Sequence, residues 1–379
     1  MNVVLLEPYF TGSHRDWAEG LMRHSRHNVR ILSLSGHYWK WRMHGGAISL
    51  ARMFLTSDVP VDLVLATDML DLTTFLALTR EKSAHVPVAL YFHENQLTYP
   101  WSPLDRDVQQ NRDRHYAFIN FASALAADVV FFNSEFHRRS FLEALPKFLR
   151  HFPDYRELES VDWLRKKSEV LPLGLDLARF DRMRLQHQIK RQTTPLILWN
   201  HRWEYDKNPE EFFRALAVLA GEGLKFEVAV LGESFSVRPE VFLRARRELG
   251  ERVVQFGYAQ TFTEYASWLW RAHVLPVTSH QDFFGASVLE AVYCRCWPLL
   301  PRRLAYPELI PRGLHDTCFY DDFDDLVAKL RHAIQQASPP AEVLDALRRH
   351  AQTFDWHEQA ARYDAALEKV RRREYTDQT

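Results

Sequence analysis

Two carboxylates, Asp282 and Glu290, stand eight positions apart around a Phe284–Gly285 turn that opens a helix. Glycine lets backbone N–H groups come close to a ligand, and the helix starting near Ala286 aims its positive end at the same place, which favours a diphosphate. Asp282 precedes the turn and Glu290 lies two turns inside the helix, so together they can reach opposite ends of one elongated ligand such as a nucleotide-sugar. An ordinary capped helix uses the same residue types near its start.

A second cluster lies upstream. Residues 195–209 read as a buried-type strand, a polar loop carrying Arg202 and Lys207, and a helix opened by Asn208 and Pro209. Arg can chelate two phosphate oxygens while Lys supplies a compact charge, so the pair suits a leaving diphosphate. A solvated basic loop is the bland alternative. Both clusters sit at strand-to-helix junctions of one α/β half, which favours a shared site. No Asp-x-Asp element is placed to bind a divalent ion, so the expected chemistry needs no metal and no cofactor beyond the donor substrate.

These residues resemble the retaining glycosyltransferases of family 4. The Glu-x7-Glu element of that family appears as Asp282 and Glu290, its Arg-x4-Lys pair as Arg202 and Lys207, and its interdomain segment as Val170 to Phe180. The chain departs from the pattern at Asp282, one methylene shorter than the usual Glu. Three blocks of the amino-terminal half, Glu7 to Trp17, Ser35 to Gly46 and Tyr91 to Pro100, look like those of the tRNA-queuosine alpha-mannosyltransferases. The resemblance implies a GT-B fold, two Rossmann-like doubly wound parallel-sheet domains facing a central cleft. It also implies transfer of mannose from GDP-mannose to the queuosine of tRNA-Asp, with retention by same-face attack and no dedicated nucleophile.

On that reading His93, Asp282, Arg202 and Lys207 form the catalytic set, with Arg202 and Lys207 on the diphosphate and Asp282 on sugar hydroxyls. Glu290 would accept from the ribose hydroxyls. The amides of Gly285, Ala286 and Ser287 would meet the distal phosphate and sugar, and Gly12 and Ser13 resemble the loop that covers the donor phosphate. His14, Glu94, Asn95 and Gln96 are expected towards the acceptor. Tyr38, Trp39, Trp41 and Arg42 read as a Gly-bounded loop, its aromatics exposed for stacking on an unpaired nucleotide and Lys40 and Arg42 meeting phosphate. An aromatic mini-core closing over the cleft is the alternative. His93 can equally be a hydrogen-bonded core residue, an ambiguity that His14, His37 and His44 share. Gly232 and Glu233 border the base pocket or form a structural turn.

The elements that must position these groups follow from periodicity. Short apolar runs at Val3–Leu6, Val29–Leu34, Leu63–Ala66, Val86–Phe92 and Val129–Phe132 alternate with helical patterns such as 17–24 and 106–127. A second series follows at Leu196–Trp199, Phe226–Leu231, Val253–Phe256, Val274–Val277 and Pro298–Leu300. Two doubly wound sheets result, with domains at 1–180 and 181–354 and a helix at 355–373 packing back on the first. A chain of 379 residues that is 46% hydrophobic can bury a core in each half. Cys294, Cys296 and Cys318 lack metal-ligand spacing and read as reduced core residues. A net charge of -1 neither supports nor excludes RNA binding. No run of eighteen apolar residues occurs and the chain opens directly into a strand, which points to a cytoplasmic protein with tRNA and a nucleotide-sugar as partners and no membrane insertion. Arg138 to Arg150, interrupted by Pro146, reads as a surface helix of the core rather than a membrane anchor. The runner-up functions are a family 4 enzyme with another donor and a polysaccharide, lipid or small-molecule acceptor, and a non-catalytic RNA-binding module. The latter has no use for Arg202, Lys207 and Glu290 together.

Overall fold

The computed structural model describes residues 1–102, 105, 107, 115–233, 239–336 and 339–372. The chain divides into two units. One comprises Met1–Leu175 together with the segment from Trp356 onward, and the other Asp176–Asp355, so the first boundary falls five residues ahead of the 180/181 expected from sequence.

The first unit carries β1 (Asn2–Phe10), β2 (Asn28–Ser35), β3 (Leu63–Thr67), β4 (Val88–Phe92), β5 (Val129–Phe132) and β6 (Ser168–Val170). They form one sheet in the order β2-β1-β3-β4-β5-β6, and every pairing is parallel. Every residue of β3, β4 and β5 is buried, which is why those segments read as continuous apolar runs rather than alternating ones. The chain leaves β1 for β2 on one side and returns to β3 on the other, so the topological switch point, where such sheets bind ligands, lies at the carboxyl ends of β1 and β3.

Helix Leu72–Ser83 begins where the Asp71 carboxylate accepts from Thr74 N at 3.0 Å. Ser134 caps helix Glu135–Leu149 in the same way, accepting from His137 N. Phe141, Leu142, Leu145, Phe148 and Leu149 of that helix face the core, and Pro146 lies in its last turn, so this is the core surface helix that the sequence suggested. Of the helix expected at 106–127, His115–Ala126 is helical, and residues 106 and 108–114 lie outside the described residues. The helix expected at 355–373 runs Trp356–Arg372, with residue 373 outside the described residues. It docks through Tyr363, whose hydroxyl accepts from Trp17 Nε1 at 2.9 Å, and through Asp364, which accepts from Ser25 Oγ at 2.5 Å.

Two sequence expectations need correction here. Gly12, Ser13 and His14 are not in a loop: β1 extends to Phe10 and the helix Gly12–His24 starts at once, with Thr11 as its N-cap. Nor do Trp39, Trp41 and Arg42 form a Gly-bounded loop. They open the helix Trp39–Leu55, whose N-cap Tyr38 is left-handed at φ 55°. The glycines misled because they are packing residues: a side chain at Gly45 would meet the Trp41 ring, and one at Gly46 would meet Pro8.

The second unit carries β7 (Leu196–Asn200), β8 (Glu227–Leu231), β9 (Val253–Phe256), β10 (Val274–Pro276), β11 (Trp297–Pro301) and β12 (Phe319–Tyr320). Their order is β12-β11-β10-β7-β8-β9, all parallel, so the switch point falls between β7 and β10. The sequence had located every strand except β6 and β12, short edge strands with no periodicity to read.

Trp356 is buried against Gly20 and Gly174, and a Cβ at Gly174 would lie 2.5 Å from its indole ring. Gly174→Ala should therefore overpack this seat and destabilise the protein by about 1–3 kcal/mol. A drop in the urea midpoint at unchanged slope checks this, and an unchanged midpoint would show that the C-terminal helix docks without that fit.

Candidate functional site in the second unit

The carboxyl ends of β7 and β10 converge on Lys207. From β7 the chain passes through Asn200, His201 and Arg202 into a single 3-10 turn, Tyr205–Lys207, then through Asn208 at φ 52° into helix Pro209–Gly221. That left-handed step lets Pro209 take the first helical position, where its missing N–H costs nothing. The turn points Lys207 inward: its side chain is 10% exposed, and Nζ donates to the Gln281 carbonyl at 2.7 Å. Asp206 Oδ2 lies 3.3 Å and Asp282 Oδ2 3.7 Å from the same ammonium. Thr278, after β10, ties the two loops by donating to the Lys207 and Asn208 carbonyls. Arg202 stays half-exposed, 3.8 Å from Glu204. The two cations of the motif thus occupy different environments, one buried and one at the surface.

Asp282 also accepts from the buried Tyr306 hydroxyl at 3.2 Å. Burial first, and then the Asp282 charge, push that phenol well above its ordinary pKa, so it serves as a donor. Gly285 is the left-handed N-cap of helix Ala286–Tyr293, at φ 105°, and a side chain there would press on Leu309 and Tyr306. Glu290 falls in the second turn of this helix, nearer its start than expected. Tyr265 donates to Glu290 at 2.6 Å and Arg179 approaches it at 3.5 Å. Asn200 donates to both the Tyr265 hydroxyl and the Ser287 carbonyl, which links the end of β7 to the helix.

Sequence reasoning passed over His201. It is buried between the two motifs, with Nδ1 3.4 Å from Ser287 Oγ and Nε2 buried without a hydrogen-bond partner among the described residues. Burial, then the neighbouring Lys207 charge, depress its pKa to about 3, so the ring is neutral at pH 7. Its backbone carbonyl accepts from Trp199 and presses so closely on Gly232 that no side chain fits there. Gly232 is therefore a close-approach glycine, and Trp203 N donates to the Glu233 carbonyl beside it. The signal available in the sequence was position alone: His201 follows directly on a buried strand, as His93 does.

In the first unit, His14 Nδ1 lies 3.1 Å from Glu7 Oε2, both buried, and the His14 ring lies 4.2 Å from that of His93. Glu7, His14 and His93 bring three ligand-type atoms within 4.8 Å of one another. Burial works to lower the His14 pKa, but the Glu7 charge and hydrogen bond outweigh it and raise it to about 9. His93 N donates to Asp68 Oδ1 at 2.8 Å. Asn95 is fully buried, and its Oδ1 accepts from Leu97 N and Thr98 N, so its oxygen shapes a turn. Gln96 donates to Glu94 and, through its backbone, to Asn120.

The acceptor aromatics separate. Trp39 packs with Met43, Met69 and Tyr116, whereas Trp41 is 61% and Tyr38 81% exposed. Lys40 does not meet solvent phosphate as expected: it pairs with Asp105 and Asp107 beneath the Trp39, Trp101 and Tyr116 rings. Arg42 donates to Ser35 from the surface. His44 stands 3.0 Å from His115, and burial followed by that neighbour lowers its pKa. His37 joins the backbone turn before Tyr38.

Residues 2–175 match the family described as tRNA-queuosine alpha-mannosyltransferase N-terminal, and residues 182–352 the family described as Glycosyl transferases group 1. A tRNA-queuosine alpha-mannosyltransferase of Drosophila melanogaster is 33% identical over 325 residues, 83% of this chain and 84% of the relative. The chain belongs to the tRNA-queuosine alpha-mannosyltransferase family. It is a glycosyltransferase of the hexosyl-transferring kind. Among solved structures, the N-terminal domain of Candida albicans trehalose-6-phosphate phosphatase has TM-score 0.70 at 11% identity, covering 97% of each chain. A sucrose-phosphate synthase from Thermosynechococcus elongatus has TM-score 0.69 at 16% identity, covering 98% of this chain and 99% of its own. These likenesses concern the fold, which is GT-B: two Rossmann-like α/β units. All three cysteines of this family member are free and buried, and no helix among the described residues is long and apolar enough to cross a membrane.

The buried histidine gives the enzyme an acid limit. As pH falls from about 6.5, the unfolded chain protonates His201 while the folded one does not until about pH 3, so stability is lost across that window. His201→Gln should flatten the decline, leaving the part due to the other buried histidines whose pKa burial lowers, His93, His137 and His273. Urea titrations between pH 7 and 4 check this, and a slope unchanged in the variant would exclude His201 as a source.

Proposed function

We propose that this enzyme transfers mannose, with retention, from GDP-mannose to the queuosine nucleoside at the wobble position of tRNA-Asp. The observation that carries the donor half is the buried Lys207 ammonium at the switch point of the second sheet, 3.7 Å from Asp282, with the half-exposed Arg202 on the same loop after β7. In the reaction the bond from the anomeric carbon to the diphosphate oxygen breaks and a bond from that carbon to a queuosine hydroxyl oxygen forms, on the same face. The hydroxyl proton passes to the departing phosphate. Lys207 and Arg202 neutralise the charge that grows on the leaving group, and the helix start at Gly285, Ala286 and Ser287 adds backbone donors. Asp282 holds sugar hydroxyls and Glu290, already an acceptor for Tyr265, takes the ribose. With fixed cations in place the chemistry has no need of a divalent metal. The acceptor half rests on family membership, since the relative's name specifies tRNA-queuosine. A tRNA substrate agrees with a cytoplasmic setting and with the lack, among the described residues, of a helix able to cross a membrane.

Mass spectrometry of queuosine-containing tRNA, incubated with the enzyme and a panel of sugar nucleotides in excess chelator, tests this reading. A hexose added from GDP-mannose supports it, and transfer from another donor, or only with added metal, overturns it. In the same assay Lys207→Ala should cut turnover by roughly ten- to a thousandfold with folding retained, and near-native turnover at saturating donor would remove Lys207 from the diphosphate.

The acceptor surface yields a separate expectation. Tyr38 and Trp41, rather than Trp39, offer exposed rings for an unpaired base. Tyr38→Ala and Trp41→Ala should each weaken tRNA binding by about 1–3 kcal/mol without changing GDP affinity. Normal tRNA binding by the double variant would place the acceptor elsewhere.

A further inference from the structure

We propose that Tyr265 is a positioning residue that acts through Glu290: its hydroxyl, held by Asn200, fixes the carboxylate so that the donor site tells a ribose from a 2′-deoxyribose. The proposal rests on the reading above that Glu290 takes the ribose of the nucleotide, and it adds to that reading a residue outside both motifs. Every residue it uses belongs to the second unit.

Counting protons fixes the direction of each bond. Asn200, buried at the end of β7, has two N–H donors on Nδ2, and both are used: one goes to the Tyr265 hydroxyl at 2.9 Å and the other to the Ser287 carbonyl at 3.2 Å. A phenol has one proton. With its oxygen accepting from Asn200, Tyr265 sends that proton to Glu290 Oε2, and the 2.6 Å separation is that of a charge-assisted bond. Burial first, and then the Glu290 charge and hydrogen bond, raise the phenol well above its ordinary pKa, so the proton stays on the tyrosine.

The relay joins three elements. Asn200 closes a strand paired with β8 along its whole length, Tyr265 stands in helix Phe262–Arg271, and Glu290 stands in helix Ala286–Tyr293. On its other oxygen Glu290 meets Arg179 at 3.5 Å, and the Arg179 guanidinium is itself set over the Phe262 ring at 4.0 Å. Both carboxylate oxygens are thus anchored. A glutamate side chain that is 15% exposed would otherwise spread over several rotamers, and ordering it at the moment of binding would cost affinity. Each carboxylate oxygen has two lone-pair directions, so accepting from Tyr265 does not exhaust Glu290. Held in one orientation, it suits the two neighbouring hydroxyls of a ribose, and a nucleotide lacking one of them leaves a desolvated acceptor without its donor. Without the Tyr265 bond the carboxylate can turn to water or to whichever hydroxyl remains, and the preference is lost.

The test is calorimetric titration of GDP and 2′-deoxy-GDP, and of UDP and 2′-deoxy-UDP, into the wild-type enzyme, Tyr265→Phe, Glu290→Gln and the double variant. The wild type should bind GDP roughly ten- to a hundredfold more tightly than its deoxy form, the loss expected for one hydrogen bond to a charged group. Tyr265→Phe should lose most of that preference by weakening GDP while leaving 2′-deoxy-GDP nearly unchanged. In the Glu290→Gln background, Tyr265→Phe should change the ratio no further, since the phenol acts through the carboxylate. Folded Tyr265→Phe that weakens both nucleotides by the same factor has lost only structure, and that result overturns the proposal. If Tyr265→Phe does not fold, Asn200→Asp decides: an acceptor in place of the amide donor draws the phenol proton away from Glu290, so the ratio should fall, and an unchanged ratio overturns the proposal. A wild type without the preference, or a preference that Glu290→Gln keeps, refutes the ribose reading and this proposal with it. A preference lost in Glu290→Gln but kept in Tyr265→Phe refutes this proposal alone. UDP bound in place of GDP, with the same Tyr265-dependent preference over its deoxy form, refutes the GDP donor and leaves the proposal standing, whereas a wild type that binds none of the four refutes both.

Discussion

An ammonium held out of water beside two carboxylates sets the terms for the second unit. Burying a lone lysine charge costs several kcal/mol, and the cost is offset only if partners are fixed in place beforehand. Here the fixing is done by backbone. The Gln281 carbonyl accepts a hydrogen bond from Lys207 Nζ directly, and the Asp206 carbonyl accepts from His280 N, so the loop after β10 is tied to the turn after β7. Asn208 must then step into the left-handed region so that the chain can leave the turn and begin the next helix. Two strands that adjoin at the switch point thus hand their charges to one small volume, and the sheet order is what makes those loops neighbours.

The first unit solves a related problem with different groups. At the end of β1 the cation is an imidazolium and its partner, Glu7, sits inside the strand itself. Asp68 nearby is driven above the usual carboxylate range by burial, which leaves Glu7 as the carboxylate in direct contact with the ring. In both units the charged group lies at the carboxyl end of the first strand, at the switch point. The same topology yields the same kind of position, and the side chains differ because a lysine needs several acceptors whereas a histidine can be satisfied by one carboxylate and stacked rings.

The strands were legible because a buried parallel sheet leaves unbroken apolar runs, as in Val129–Phe132 and Leu196–Asn200, and the helix at Ala286 was legible because Gly285 marks its start. What the sequence obscured were contacts between segments distant along the chain. Gly45 and Gly46 looked like loop boundaries, yet they are helical residues made small by Trp41 and Pro8. Lys40 looked like a free cation because its partners, Asp105 and Asp107, lie more than sixty positions away. His201 and Glu7 escaped notice for the same reason: each takes its meaning from a partner, Ser287 or His14, that only the folded chain brings into reach.

The walls around His201 show why such a site can hold its geometry. Trp199 donates to the His201 carbonyl and Trp203 to the Leu231 carbonyl, so two indoles bridge the end of β7 to itself and to β8. Trp203 stacks on Phe242 with centroids 4.4 Å apart and planes 6° from parallel, and Trp199 meets Phe212 edge-on. Aromatic pairs of this kind contribute about 0.5–1.5 kcal/mol each beyond the area they bury. They are rigid, with few rotamers to lose, and they fix the end of β7 from which the chain enters the turn that carries Lys207. A loop of small polar residues there would let water reach the ammonium and screen it, and the charge would then be worth less to a departing diphosphate. The aromatic packing at the end of β7 and the buried lysine after it thus act together: a rigid strand end fixes the place from which the ammonium meets Asp206, Gln281 and Asp282.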